Sequence, residues 1–185
     1  MAPMNDSQRS LCEQAAQRAR ENFSSGYNCG ECVVEAVLAT IETDLPPHAW
    51  KLATGFGGGI GLSGDTCGAL IGAVLAVGAV HGRSRLPGGD DRRDVLRKSK
   101  AQLYDDPGLY RLFNQIPTWF RQQFGHTLCR ELTARWHDDW LCRDHALHCR
   151  EIIAETAGQA ATWMCFPPDR IGTLAYDDTV ERLDS

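Results

Sequence analysis

Apolar residues recur at helical spacing in successive blocks along this 185-residue chain. Leu11, Ala15 and Ala19 share one face of a helix predicted over Ser7–Asn22, flanked by Cys12 and ended by Ser24-Ser25-Gly26. Asn28 can cap a second helix, Cys29–Ile41, on which Cys29, Cys32, Val33, Ala36 and Val37 form one inward stripe. A linker over Glu42–Pro47 leads to a short helix at His48–Thr54, opened by proline. The run Ala69–Val80 is apolar on every side, so it predicts a central buried helix ending at His81-Gly82. It falls short of the ~20 residues that span a bilayer.

Beyond a polar loop at Arg83–Asp91, a charged helix is predicted over Asp90–Tyr104, and Asp105-Asp106-Pro107-Gly108 reads as a turn. Leu112, Phe113, Ile116, Trp119 and Phe120 line one face of Leu109–Phe124, in which Pro117 either opens a new helix or kinks this one. That face is either core or the surface of a homodimer. Thr127 can cap Leu128–Trp136, which places Cys129 in a first turn. A long helix, Trp140–Met164, carries Cys142, Ala146, Cys149, Ile153 and Ala157 on one stripe, and Cys165-Phe166-Pro167-Pro168 stops it. Asp169–Ser185 is polar and without strong period. The pattern predicts an all-α, compact helical bundle: a single domain over residues 1–166 and a C-terminal extension over 167–185.

Composition narrows the chemistry. A net charge of −5 with no dominant basic stripe argues against nucleic acid as a partner. The opening MAPMNDSQRS has no apolar signal-like core, so the expectation is a cytoplasmic protein without a membrane partner. In that setting eight cysteines point to metal binding or redox chemistry rather than to a disulfide scaffold. Their spread from Cys12 to Cys165 argues against one compact zinc finger.

The densest chemical signal lies ahead of the apolar helix. Gly55, Gly57, Gly58, Gly59, Gly61 and Gly64 form a loop that delivers Cys67 to a helix start, with Asp65 or Thr66 as its cap. Free amides and the positive dipole end at such a position favour a thiolate. The plainer reading is a tight turn with Cys67 as a small core residue. Cys29-Gly30-Glu31-Cys32 is a CxxC without a following histidine, so it is not a haem attachment site. His145 and His148 flank the Cys142/Cys149 stripe; two histidines and two cysteines within eight residues suit a metal, while solvated histidines are the simpler assignment. His81 reads as a dipole partner or a solvent contact. Cys29, Cys67, Cys129 and Cys142 each stand near a predicted helix start, and separate helix starts can converge at one end of a bundle. Soft thiolates select iron–sulfur clusters, zinc or Cu(I).

The sequence resembles a family of redox-active proteins named for one Cys, a GCAxxG-like motif and two further Cys. The resemblance rests on Tyr27-Asn28-Cys29, on Ala53–Gly61 (ATGFGGGIG), on Cys67–Ala73 (CGALIGA), on Phe124-Gly125 through Cys129-Arg130-Glu131-Leu132, and on Cys142 ahead of Arg150–Ile153. The order Cys67-Gly68-Ala69 replaces a literal Gly-Cys-Ala. The resemblance implies a helical domain also seen in split-Soret cytochromes, beside haem and an iron–sulfur centre; without CxxCH the haem does not carry over. It implies an iron–sulfur cluster on Cys29, Cys67, Cys129 and Cys142, with Cys32 and Cys149 as additional ligand candidates and Gly57, Gly58, Gly59 and Gly61 donating N–H···S bonds. The expected role is electron transfer or redox sensing with a partner protein. The rival readings are a metal-free thiol–disulfide oxidoreductase using Cys29, Cys32 and Cys67, a structural zinc or soft-metal module, and cysteines scattered in an ordinary core.

Overall fold

A computed structural model describes residues 5–177. The predicted all-helical architecture is what forms. Its α-helices are α1 (Asp6–Ser24), α2 (Cys29–Thr40), α3 (Gly68–His81), α4 (Arg92–Lys100), α5 (Tyr110–Phe124), α6 (Cys129–Leu132) and α7 (Arg143–Met164). Shorter 3-10 segments lie at Pro47–Phe56, Ala134–Trp136 and Pro168–Thr173, and α4 runs on into a π-helical turn, Ala101–Asp105. Among the described residues the extended pairing is one antiparallel bridge, Thr66 with Leu128. No described helix is long and apolar enough to cross a membrane.

Local capping sets the first two helices. Asn5 and Gln8 form a capping box on α1, two residues ahead of the predicted start, because Asn5 accepts from the Gln8 amide at 2.8 Å. Asn28 caps α2 as expected: its side chain accepts from the Gly30 and Glu31 amides, and Glu31 returns a bond to Asn28 N. Glu31 also accepts from Thr54 Oγ1 at 2.6 Å, so the middle of the CxxC ties α2 to the next segment.

Small residues set the packing. Gly30 and Gly72 bring α2 and α3 into backbone contact; a methyl on Gly72 would stand 2.9 Å from Gly30 O and from Val33 Cβ. Because Gly30 faces Gly68 and Val33 faces Gly72, the two helices run parallel. α7 runs with them. At its far end His81 Nε2, on the last residue of α3, donates to the carbonyls of Trp163 and Met164 at 3.0 and 3.2 Å. α1 runs antiparallel to α7, fastened by Arg20 to Glu151 at one end and approaching Gly158 at the other. Thus α2, α3 and α7 all begin at the same end of the bundle.

The α5 stripe is core: Leu112, Ile116 and Phe120 are wholly buried, and Trp119 packs edge-on against Trp163 and Phe124. The helix runs through Pro117 without a second start. Past α7 the chain folds back along α5, with Ile171 buried, Arg111 bonded to Leu174 O and Thr118 bonded to Asp177. The remainder of the predicted extension, residues 178–185, lies outside the described residues.

His81 overturns its sequence reading. It is neither a solvent contact nor a plain dipole partner; at 6 % exposure it spans two helix ends. Burial depresses its pKa, outweighing the two carbonyl bonds. Its stabilising contribution is therefore present above the ordinary histidine value and is lost as pH falls below about 6.5. Urea denaturation should show the wild type losing stability from pH 6.5 to 5 to a greater degree than His81→Gln; parallel pH profiles would remove this role. At the α2–α3 contact, Gly72→Ala should lower unfolding free energy by about 1–3 kcal/mol through overpacking, measured by the same titration.

Candidate functional site

A cavity of about 260 Å³ opens at the end of the bundle where α2, α3 and α7 start. Its walls hold Cys29, Cys67, Cys129, Cys142 and Cys149, together with Gly58 and His145. The remaining lining is mostly apolar, chiefly Phe23, Leu132, Ile152 and Ile153, with Asn28 and Thr133 as polar members. The four helix-start cysteines therefore do converge, and Cys149 joins them one turn into α7. Cys32 does not: it lies fully buried beside the cavity, and its Sγ donates to Tyr27 O at 3.4 Å. None of the eight cysteines is in a disulfide.

The glycine loop builds the far wall. Gly58, Gly59, Ile60, Gly61 and Leu62 all have φ between +60 and +71°, so the chain makes a left-handed turn that glycine alone enters without strain. Ile60 and Leu62 are held there at a steric cost, as non-glycine residues seldom are. The turn presses directly on the cysteine-bearing elements. A methyl on Gly59 would stand 2.7 Å from Cys129 Cβ and 2.5 Å from Asp65 O. The Cys67 amide donates to Thr127 O at 2.8 Å, Cys129 N to Asp65 O at 2.7 Å and Arg130 N to Gly64 O at 3.0 Å. These bonds stitch the start of α6 to the start of α3.

Cys67 is the cap residue of α3 rather than a member of its first turn. Neither Asp65 nor Thr66 caps that helix, because Asp65 bends back to accept from Thr66 N at 2.7 Å. The first-turn amides are thereby left to the thiol: those of Ala69 and Leu70 favour the charged form of Cys67, though neither reaches full hydrogen-bond geometry. Amides of Gly58, Gly30 and Gly68 act in the same way on Cys29. Gly68 is the closest approach; a methyl there would stand 2.5 Å from Cys29 Sγ and would strike Phe56 O. A side chain at position 68 would drive Cys29 and Cys67 apart.

Thr127 and Trp136 do not bound one helix as expected; Leu128 precedes the four-residue α6, and a separate 3-10 turn follows. The predicted start of the last helix shifts from Trp140 to Arg143, with Cys142 as cap, its Sγ accepting from His145 N at 3.4 Å. His145 is buried, against the solvated reading. Its Nδ1 bonds to Trp140 O, which assigns the proton there and leaves Nε2 to accept from Cys149 Sγ at 3.3 Å. Trp136 and Trp140 flank its ring. His148 bonds instead to Leu132 O at 3.1 Å. The spacing of His145, three after Cys142 and four before Cys149, was the signal for its inward direction.

Helix starts do not acidify these thiols on their own. Burial raises the pKa of Cys29, Cys67 and Cys129, and the charge of Cys29 adds to the rise at the latter two. Cys149 is pushed up to about 12 by burial, then by Cys29 and Cys129. Cys32 is likewise raised, by burial first. The amides soften this penalty without cancelling it. Cys29 lies near enough to Cys67, Cys129 and Cys149 for its charge to raise each of them.

The cavity mouth is edged by Leu62 and Leu141, 75 % and 94 % exposed. Leu62, Thr133 and Trp140 are shared with an outer cleft that also holds Ser63, Arg130 and His137. Among the described residues, no three His, Cys, Asp or Glu side chains are gathered tightly enough to hold a single metal ion.

Raised thiol pKa values make folded, metal-free protein alkali-sensitive. The contribution is fully present below pH 9 and is lost as pH rises from there toward 12, since the unfolded thiols release protons first. Thermal melts of reduced, metal-free protein should fall steadily above pH 9, and Cys149→Ala should flatten that fall. An unchanged slope in the variant would contradict the burial effect.

No curated protein and no solved structure matches the chain significantly. Residues 27–163, about three-quarters of the chain, match the family described as "Putative redox-active protein (C_GCAxxG_C_C)". The match opens at Tyr27, beside the α2 cap, takes in the glycine loop and every cysteine of the cavity, and ends within α7. This chain belongs to the C_GCAxxG_C_C family of redox-active proteins.

Proposed function

We propose that this protein holds an iron–sulfur cluster in the thiol-lined cavity and uses it for electron transfer or redox sensing. One observation carries the reading: five thiols and three parallel helix starts meet around a single apolar cavity. Cys29, Cys67 and Cys129 are the first ligands, on separate elements. Cys142 is the fourth in the family's order, and Cys149 is its competitor for that position, since it shares an electrostatic environment with Cys29 and Cys129.

The donor set fits such a group. Thiolates prefer soft, thiophilic metals, and a bound cation deprotonates thiols that burial alone keeps neutral. Donors on several walls of one cavity suit a group of several metal atoms. When bound, the cluster would supply one-electron chemistry. The protein's part is to exclude water with Phe23, Ile152 and Ile153, and to direct the Gly58, Gly30 and Gly68 amides at Cys29 so that its negative charge is stabilised. A metal-free relay through Cys29 and Cys32 is less well supported, because Cys32 is sealed from the cavity and its thiol is pushed up by burial.

The mouth at Leu62 and Leu141 is the natural approach for a redox partner protein. His145, between Trp136 and Trp140, orients Cys149 from behind.

Anaerobic reconstitution with ferrous iron and sulfide should give a brown protein with matching iron and sulfide content and a visible charge-transfer band. Cys29→Ala, Cys67→Ala and Cys129→Ala should each lose the band, whereas Cys32→Ala should keep it. The pair Cys142→Ala and Cys149→Ala then identifies the fourth ligand. A colourless, iron-free wild type after reconstitution would overturn the reading.

A further inference from the structure

Two cysteines stand apart from the cavity, at the opposite end of α7. We propose that Cys12 and Cys165 form a second dithiol site, which a low-molecular-weight disulfide oxidises to an intramolecular disulfide fastening α1 to the end of α7.

The geometry rests on the α1–α7 contact. A methyl on Gly158 would stand 3.2 Å from Cys12 O, so the two backbones nearly touch there. One turn further along α7, Thr162 Oγ1 lies 3.2 Å from Cys12 Sγ. Cys165 follows Thr162 by three residues and terminates the helix. Gly158, Thr162 and Cys165 thus share one stripe of α7, facing α1. Every Cα–Cβ bond leans toward its own helix start. Because α1 and α7 are antiparallel, Cys12 leans toward the end of α7, and Cys165 leans back toward Thr162. The two side chains converge from opposite directions.

Cys165 is raised by burial and then by the charge of Cys12, which places the two within electrostatic reach. Both are half-buried rather than sealed in the core. Neither lines the thiol cavity, and both lie outside residues 27–163, so the family pattern does not account for them. Thr162 follows Cys149 by about 20 Å of helix at 1.5 Å per residue, so this site is distinct from the thiols of the cavity.

The exchange balances as follows. One protein thiolate attacks the S–S bond of oxidised glutathione, forming a mixed disulfide and expelling one glutathione thiolate. The second protein thiolate attacks the protein sulfur of that mixed disulfide, closing the Cys12–Cys165 bond and expelling the second glutathione. The two protein thiols give up two electrons and two protons; the small disulfide takes them up as two thiols.

The test uses the full chain, reduced, desalted and equilibrated with glutathione buffers of increasing oxidised fraction. Remaining thiols are alkylated, and the protein is digested without reductant for mass spectrometry. The expected product is a linked peptide pair containing Cys12 and Cys165, lighter by two hydrogens than its reduced parts. Oxidation should also raise Tm by several degrees, since the bond closes a loop of most of the chain. In Cys12→Ser the pair and the Tm rise should vanish and Cys165 should carry glutathione instead; Cys12→Ala serves if the serine variant does not fold. The proposal is overturned if wild-type Cys12 and Cys165 end as separate glutathione adducts, pair with other cysteines, or stay reduced across the whole range. These outcomes are independent of whether the cavity takes up iron.

Discussion

Three helices of this bundle, α2, α3 and α7, start at one place, and that convergence governs the rest. Each helix start carries roughly half a positive charge and several unbonded amides. Gathering three of them around an apolar cavity is unfavourable unless negative charge meets them. The polar caps only partly do so: Asn28 serves α2, while α3 and α7 have cysteine in the cap position. Sulfur is what these helix ends face. Buried thiolates without a counter-charge are equally unfavourable, which is why every shift resolved in the cavity is upward. Positive helix ends and thiolates each offset the penalty of the other, and the proposed cluster would supply the remaining counter-charge.

Bringing the helix starts together demands close backbone contact, and this is where the small residues are spent. Gly30, Gly68 and Gly72 set the α2–α3 distance, and Gly68 faces the Cys29 sulfur itself. The left-handed turn then fills the open side. It cannot be replaced by an ordinary loop, because Gly59 lies against both Asp65 and Cys129 and leaves no room for a side chain. The outer cleft beside it, with Arg130 and His137, shares Leu62, Thr133 and Trp140 with the cavity, so changes in the turn are felt on both sides.

What the sequence disclosed was whatever depends on local patterns. The Asn28 cap, the all-round apolar character of α3, the α5 stripe and the clustering of cysteines at helix starts were readable because capping and periodicity act within a turn or two. The turn's hand was not readable: glycine density announces freedom, and only the contacts with Asp65 and Cys129 select the left-handed form. Cys32 shares a stripe with Cys29, but a helical wheel does not say which residue along the stripe reaches the cavity. His81 and His145 were misjudged for one reason. Their partners are the carbonyls of Trp163, Met164 and Trp140, main-chain groups that leave no mark in the residue pattern.

The bond from His81 to the end of α7 has a mechanical meaning. It pins α3 and α7 together at the end remote from the cavity cysteines, so the pair is built like tongs with the grip at those sulfurs. For a 14-residue arm about 21 Å long, a splay of about three degrees at the pin moves the tip by about 1 Å. Sulfur-to-sulfur spacing across the cavity is therefore controlled by leverage from the far end of the bundle, where a single imidazole sets the angle.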